Sequence, residues 1–132
     1  MHPSEPCFGR LAGDGRRPGL GEECFHDLLT APGGTRIERI VSRGSASPPG
    51  FWYEQDWDEF VLILSGAAVL AFPDGTERRM EAGDYAILPA FYRHRVAWTD
   101  PDRETLWLAV HMPPQSPDAP ELGKEPGTSA LP

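Results

Sequence analysis

At 132 residues, the chain has room for one domain and one hydrophobic core. Twelve Lys and Arg against 20 Asp and Glu leave a net charge of −8, with a pI near 4.9. A single lysine and the lack of a basic stripe argue against a nucleic-acid surface, the same charge argues against an anionic membrane, and no apolar run approaches the roughly 20 residues of a spanning helix.

Glycine (14) and proline (15) crowd into the ends, and residues 1–21 read as a flexible arm with little to bury. Met1 to Arg17 contain no apolar h-region, so no secretory leader is expected and the cytoplasm is the default compartment. Cys7 and Cys24 form neither a CxxC pair nor a disulfide framework, and two free thiols are expected. Glu22 to Leu29 (EECFHDLL) places Phe25, Leu28 and Leu29 on one side of a short helix or turn, which Pro32-Gly33-Gly34 breaks. From Thr35 the pattern changes to strands. Thr35–Arg43 alternates around Ile37 and turns apolar at Ile40 and Val41; Ser45–Gly50 is a loop and Phe51–Gln55 a short aromatic-rich strand. Glu59–Leu64 (EFVLIL) and Ala67–Phe72 (AAVLAF) flank the turn residues Ser65-Gly66, and Pro73-Asp74-Gly75 leads into a polar strand, Thr76–Glu81. Ala82-Gly83-Asp84 turns into Tyr85–Leu88, which stops at Pro89; Arg93–Thr99 and Glu104–Met112 follow. Residues 113–132 form a proline-rich tail expected to be disordered, which leaves 22–112 as the folded domain.

Six or seven short strands with a turn about every ten residues predict an all-β sandwich or barrel, and the lack of βαβ alternation excludes a Rossmann or P-loop architecture. A strand with one face in water alternates apolar and polar residues, whereas EFVLIL and AAVLAF are apolar on both faces. Their outer faces are therefore expected to be covered, by segment 22–29 or by a second subunit, and a homodimer is the expectation.

Two spaced patterns stand out on these strands. Glu59 is followed after six residues by Gly66, and Gly83 is followed after five by Pro89 and then by His94. In this the chain resembles the cupin family over roughly residues 35–111. The resemblance implies a double-stranded β-helix, or jelly-roll, barrel. It also implies a metal site of four ligands, of which Glu59 and His94 survive. The two histidines of the first motif would fall at Tyr53 and Gln55, while Phe91 replaces a motif glycine and Trp98 a motif asparagine.

Period-two alternation puts residues 53 and 55 on one strand face, and neighbouring strands of a small barrel point into one cavity. Zn²⁺, Mn²⁺, Ni²⁺ and Fe²⁺ accept imidazole and carboxylate, and a catalytic site takes about three protein ligands. Two arrangements stay open: a divalent metal held by Gln55, Glu59 and His94, or a metal-free polar pocket in which Glu59 hydrogen-bonds Tyr53 or His94 and the pair serves as acid and base. Tyr53, Trp98 and His111 are the expected ligand-pocket residues, Trp98 because alternation places it on the side of His94. Arg36, Arg39 and Arg43 could reach a carboxylate substrate, although charged strand positions usually face solvent, which is the expectation for them. The function expected is a small soluble barrel binding a small molecule, and with it a divalent metal, in its cavity. The alternative is a metal-dependent oxygenase, isomerase or lyase acting on a small organic substrate.

Overall fold

The computed structural model describes residues 3–13 and 15–113. Eight strands follow in chain order: β1 (Glu22–Thr30), β2 (Arg36–Arg43), β3 (Asp58–Ser65), β4 (Ala67–Ala71), β5 (Glu77–Glu81), β6 (Tyr85–Leu88), β7 (Arg95–Thr99) and β8 (Thr105–Met112). One antiparallel sheet has the order β1-β2-β8-β3-β6, the other β5-β4-β7, and no helix occurs among the described residues. Val61, Ile63, Leu70, Met80, Leu88 and Trp107, drawn from both sheets, meet in one core. This is the expected jelly-roll barrel. No helix of the described residues is long and apolar enough to cross a membrane.

The strand pattern explains which side chains point inward. On β3, Glu59, Val61 and Ile63 are buried while Phe60 and Leu62 between them are half-buried; on β8, Trp107, Ala109 and His111 are buried while Leu108 and Val110 are half-buried. The two inward sets lie side by side, because Glu59 pairs with His111 and Val61 with Ala109. On the outer face, Ile37, Val110, Phe60 and Ile87 form a continuous apolar rung across β2, β8, β3 and β6. Part of that face lies under the N-terminal segment, where Arg39, 6% exposed, donates from Nε to the Leu11 carbonyl at 2.6 Å.

Gly66 marks the switch from one sheet to the other. Its φ is +87°, and a Cβ there would meet Thr105 Cα at 2.5 Å and the Glu104 carbonyl at 2.7 Å. The close approach is locked by Thr105, whose hydroxyl accepts from the Ala67 N–H (3.1 Å) and donates to the Ala67 carbonyl (3.0 Å). Only glycine meets both demands.

Two expectations are corrected. The helix or turn expected over Glu22–Leu29 is instead strand β1, paired with β2 from Glu22↔Arg43 to Thr30↔Arg36. An isolated helix this short is marginal in water, whereas the open edge of β2 offers it backbone partners. Pro32-Gly33-Gly34 then acts as the hairpin turn, closed by Ala31 N–H to the Thr35 carbonyl at 2.8 Å. The strand expected over Phe51–Gln55 contracts to one antiparallel bridge, Tyr53↔His94. From residue 114 onward the proline-rich tail lies outside the described residues.

Candidate functional site

A cavity of about 250 Å³ opens inside the barrel, and Tyr53, Gln55, Glu59, His94 and His111 all line it. Its apolar wall includes Val61, Leu70, Leu88, Val96 and Trp107. This is slightly below the usual range of small-molecule pockets, roughly 300–1,000 Å³.

His94 is held from both sides. Its backbone forms the bridge to Tyr53 (Tyr53 N–H to His94 carbonyl 2.7 Å, His94 N–H to Tyr53 carbonyl 3.2 Å), and the two rings stack with centroids 5.4 Å apart at 22°. Nδ1 lies 3.0 Å from the Tyr92 carbonyl. A carbonyl only accepts, so Nδ1 carries a proton, and in the neutral form of the ring the lone pair is on Nε2. The loop that delivers His94 is anchored by Asp58, whose buried carboxylate accepts from the Ala90 N–H at 2.8 Å. It turns at Phe91, which has φ +66° and donates its N–H to the Gln55 carbonyl at 2.6 Å. This is the left-handed region where a glycine is normally found, the residue the cupin resemblance leads one to expect there.

Glu59 is 7% exposed, and its carboxylate has no hydrogen-bond partner among the described residues. The pocket arrangement in which it bonds Tyr53 or His94 is thus not the one observed. Burial pushes its pKa up; the nearby rings of His111 and His94 act against this, while the Glu38 carboxylate adds to it. Burial also raises the Tyr53 phenol, with help from Glu23, Glu59 and Glu38, so Tyr53 keeps its O–H as a donor.

His111 differs from His94 in having both nitrogens engaged. The Trp57 indole N–H donates to Nδ1 at 2.9 Å, and Nε2 lies 3.0 Å from Glu38 Oε1. An indole N–H can only donate, so Nδ1 is bare and Nε2 donates to the carboxylate. Glu38 Oε2 accepts from Arg36 Nη1 at 3.0 Å, and the same nitrogen donates to Asp27 at 3.1 Å.

Trp98 does not line the cavity. The pairing of β7 with β4 slips between Val69↔Trp98 and Leu70↔Val96, so a bulge at Ala97 reverses the alternation that His94 and Val96 begin. Trp98 instead lies under the Arg79 guanidinium, 5.3 Å from the ring centroid. Arg36, expected to face solvent, lines the cavity together with Glu38, Glu23 and Phe25. Glu23 and Phe25 arrive on β1, so the helix expectation concealed them. Alternation in RIERIVSR was the signal for Arg36 and Glu38, since both share a face with Ile40.

The donors do not fit a resident metal. Among the described residues no three His, Cys, Asp or Glu side chains are grouped to hold one. Of the expected set, Glu59 and His94 are strong donors and Gln55 offers only an amide oxygen.

Residues 40–111 match the family model of the cupin domain. The chain is a cupin. It is also similar in structure to a Ralstonia eutropha JMP134 protein that carries the provisional name mannose-6-phosphate isomerase, with 46% identity, a TM-score of 0.75, and 82% of this cupin and 99% of that chain covered. A cupin superfamily protein of Desulfitobacterium hafniense shares the fold at 18% identity and TM-score 0.62, over 85% of this chain and 94% of its own. A conserved Streptococcus pyogenes protein of unknown function does so at 17% and 0.67, over 88% and 95%. No curated protein matches the chain. The cupin match begins at Ile40, so β1, Arg36 and Glu38 lie outside it.

Proposed function

We propose that the barrel binds one small organic molecule in this cavity, and that Glu59 and His94 exchange a proton with it. One observation carries the reading: Glu59 opens its carboxylate into the cavity with no hydrogen-bond partner among the described residues, beside an imidazole whose Nε2 is uncommitted. A carboxylate kept in that state lowers stability, and such groups concentrate at working sites. Isomerisation is the reaction class that suits the pair, because an acid and a base can move a proton between neighbouring atoms of one substrate without a co-reactant. The provisional name of the Ralstonia protein supports the same class. Tyr53, still carrying its phenolic proton, supplies a hydrogen bond to an oxygen of the bound molecule, and Gln55 a second. The metal-assisted alternative asks Gln55 to complete a three-ligand set, and the weakness of that donor weighs against it.

A thermal-shift screen of small hydroxy and carbonyl compounds, repeated on Glu59→Gln and His94→Ala, tests the reading. A compound that raises the Tm of the wild type and of neither variant supports it. Equal shifts in all three would place binding elsewhere and overturn it. A bound substrate should also exchange a C–H for deuterium in D₂O, visible by NMR and lost in Glu59→Gln. Elemental analysis of the purified cupin checks the metal-free chemistry: stoichiometric transition metal that disappears in both variants would refute it.

A further inference from the structure

The charges around the cavity are lopsided. Glu23, Glu38 and Glu59 line it, against Arg36 as the one lining residue with a fixed positive charge. Arg36 Nη1 already donates to Asp27 at 3.1 Å and to Glu38 at 3.0 Å, so two carboxylates offset its charge before any ligand enters. Both nitrogens of His111 are already engaged, Nδ1 by the Trp57 indole at 2.9 Å and Nε2 by Glu38 at 3.0 Å. Glu59, 7% exposed, has no partner in the described residues and belongs to the cavity wall. Around these carboxylates stand the rings of Phe25, Tyr53 and Trp107.

We propose that the cavity selects a small organic cation, an amine or quaternary ammonium compound, over a neutral molecule of the same shape and over any anion. The inference rests on the small-molecule reading above and adds the charge of the ligand to it. A buried carboxylate with no internal partner is completed by a positive charge, and the attraction is stronger in a cavity than in water. Aromatic faces attract the same charge through their quadrupoles and tolerate the alkyl groups of an ammonium ion. A phosphate dianion would instead enter among three carboxylates, with the only lining guanidinium already paired. The sugar phosphate in the name of the Ralstonia protein is therefore a poor fit for this cavity, although the isomerase class is not. Glu59 lies inside the matched span 40–111, whereas Glu23, Phe25, Arg36 and Glu38 lie outside it. The net charge of −8 acts in the same direction at long range.

Isothermal titration calorimetry on the full chain tests this with choline and tetramethylammonium as cations. 3,3-Dimethylbutan-1-ol serves as the neutral isostere of choline, with 3,3-dimethylbutanoate and mannose 6-phosphate as anions. Choline is expected to bind about tenfold or more tightly than the alcohol, equivalent to about 1.4 kcal/mol, with no measurable binding of either anion. Glu59→Gln, which keeps the shape, should remove most of that preference while leaving the affinity for the alcohol within about twofold. Glu23→Gln, at an exposed position on the cavity wall, should lower choline binding in the same direction and provides a second variant should the first fail to fold. Equal affinity for choline and the alcohol, tighter binding of either anion, or no binding of either cation would overturn the proposal. Glu59-dependent binding of only neutral or anionic compounds would do so while the small-molecule reading stands. Binding of every probe, indifferent to both substitutions, would overturn both.

Discussion

The carboxylate of Glu59 should make this cupin less stable than a version that lacks its charge, and the difference should depend on pH. Its folded-state pKa is raised, chiefly by burial. Over a range of pH the folded chain therefore holds a proton that the unfolded chain has released. Where the folded state binds more protons, stability falls as pH rises. The loss begins near the ordinary carboxylate range and is complete above the raised folded value. A buried polar group without a partner costs about 1–3 kcal/mol, and a charged one more. Glu59→Gln removes the charge but keeps a polar amide, so a gain of about 1–2 kcal/mol is expected at pH 8. With about 100 ordered residues, an unfolding entropy near 2.1 cal/mol/K per residue converts this to roughly 5–10 °C in Tm. At pH 4 the wild-type carboxyl is neutral in the folded state and the difference should shrink towards zero. Calorimetric melts of both proteins between pH 4 and pH 8 supply the comparison. A variant less stable than wild type at pH 8 would show that the Glu59 carboxylate has a stabilising partner, and an advantage equal at both ends would show that its charge is not the cause.

Four other outcomes follow from the same geometry. ¹⁵N NMR of the histidine rings should show His111 as the Nε2–H tautomer, and Trp57→Phe should release that restriction with a loss of about 1 kcal/mol for the hydrogen bond. Gly66→Ala should cost roughly 3 kcal/mol or more, read from urea unfolding, because a Cβ meets the Thr105 backbone at 2.5 Å. Phe91→Asn should raise the urea midpoint by the equivalent of about 0.5–1 kcal/mol, since Phe91 is 64% exposed and sits at φ +66°, a conformation asparagine tolerates better. Light scattering should give twice the 14.5 kDa chain mass, with the apolar rung through Phe60 as the contact, and Phe60→Asp should return a monomer; a monomeric wild type at micromolar concentration would remove the dimer.

The barrel was legible because most of its signals are local. EFVLIL and AAVLAF, the turn at Ser65-Gly66 and the stop at Pro89 report strands and their ends directly, and the structure places β3, β4 and β6 within a residue of the expected limits. What failed was whatever depended on pairing. Cys24, Phe25 and their neighbours have no strong pattern of their own, and become a strand only because β2 offers an edge. Trp98 was assigned by counting in twos, and a single extra residue at Ala97 reverses every side chain beyond it. The site shows the same division. The spacing shared with the cupin motifs points to Glu59 and His94, and the same resemblance, which puts two histidines at 53 and 55, points to Tyr53 and Gln55, but the commitment of His111 to Trp57 and Glu38 depends on contacts 54 and 73 residues apart in the chain.

The replacement at position 53 changes the chemistry of the cavity beyond the loss of one donor. A histidine there would add a second imidazole beside His94. Tyr53 instead lays its ring against the His94 ring at 5.4 Å and raises an aromatic wall over the same corner. Burial first, and then the field of Glu23, Glu59 and Glu38, keeps the proton on its phenol and so withholds the anionic form that a metal would need as a ligand. Stacking constrains the His94 ring plane while the Tyr92 carbonyl holds Nδ1, so Nε2 is presented in one direction without a metal to orient it. The substitution that removes a ligand thereby supplies two features an organic ligand requires, a flat apolar surface and a fixed proton acceptor. Tyr53→His should accordingly act in opposite senses, strengthening the retention of Zn²⁺ or Ni²⁺ measured by elemental analysis and weakening the binding of choline measured by calorimetry. A variant that gained metal and kept its full affinity for choline would show that the ring of Tyr53 is not part of the binding surface.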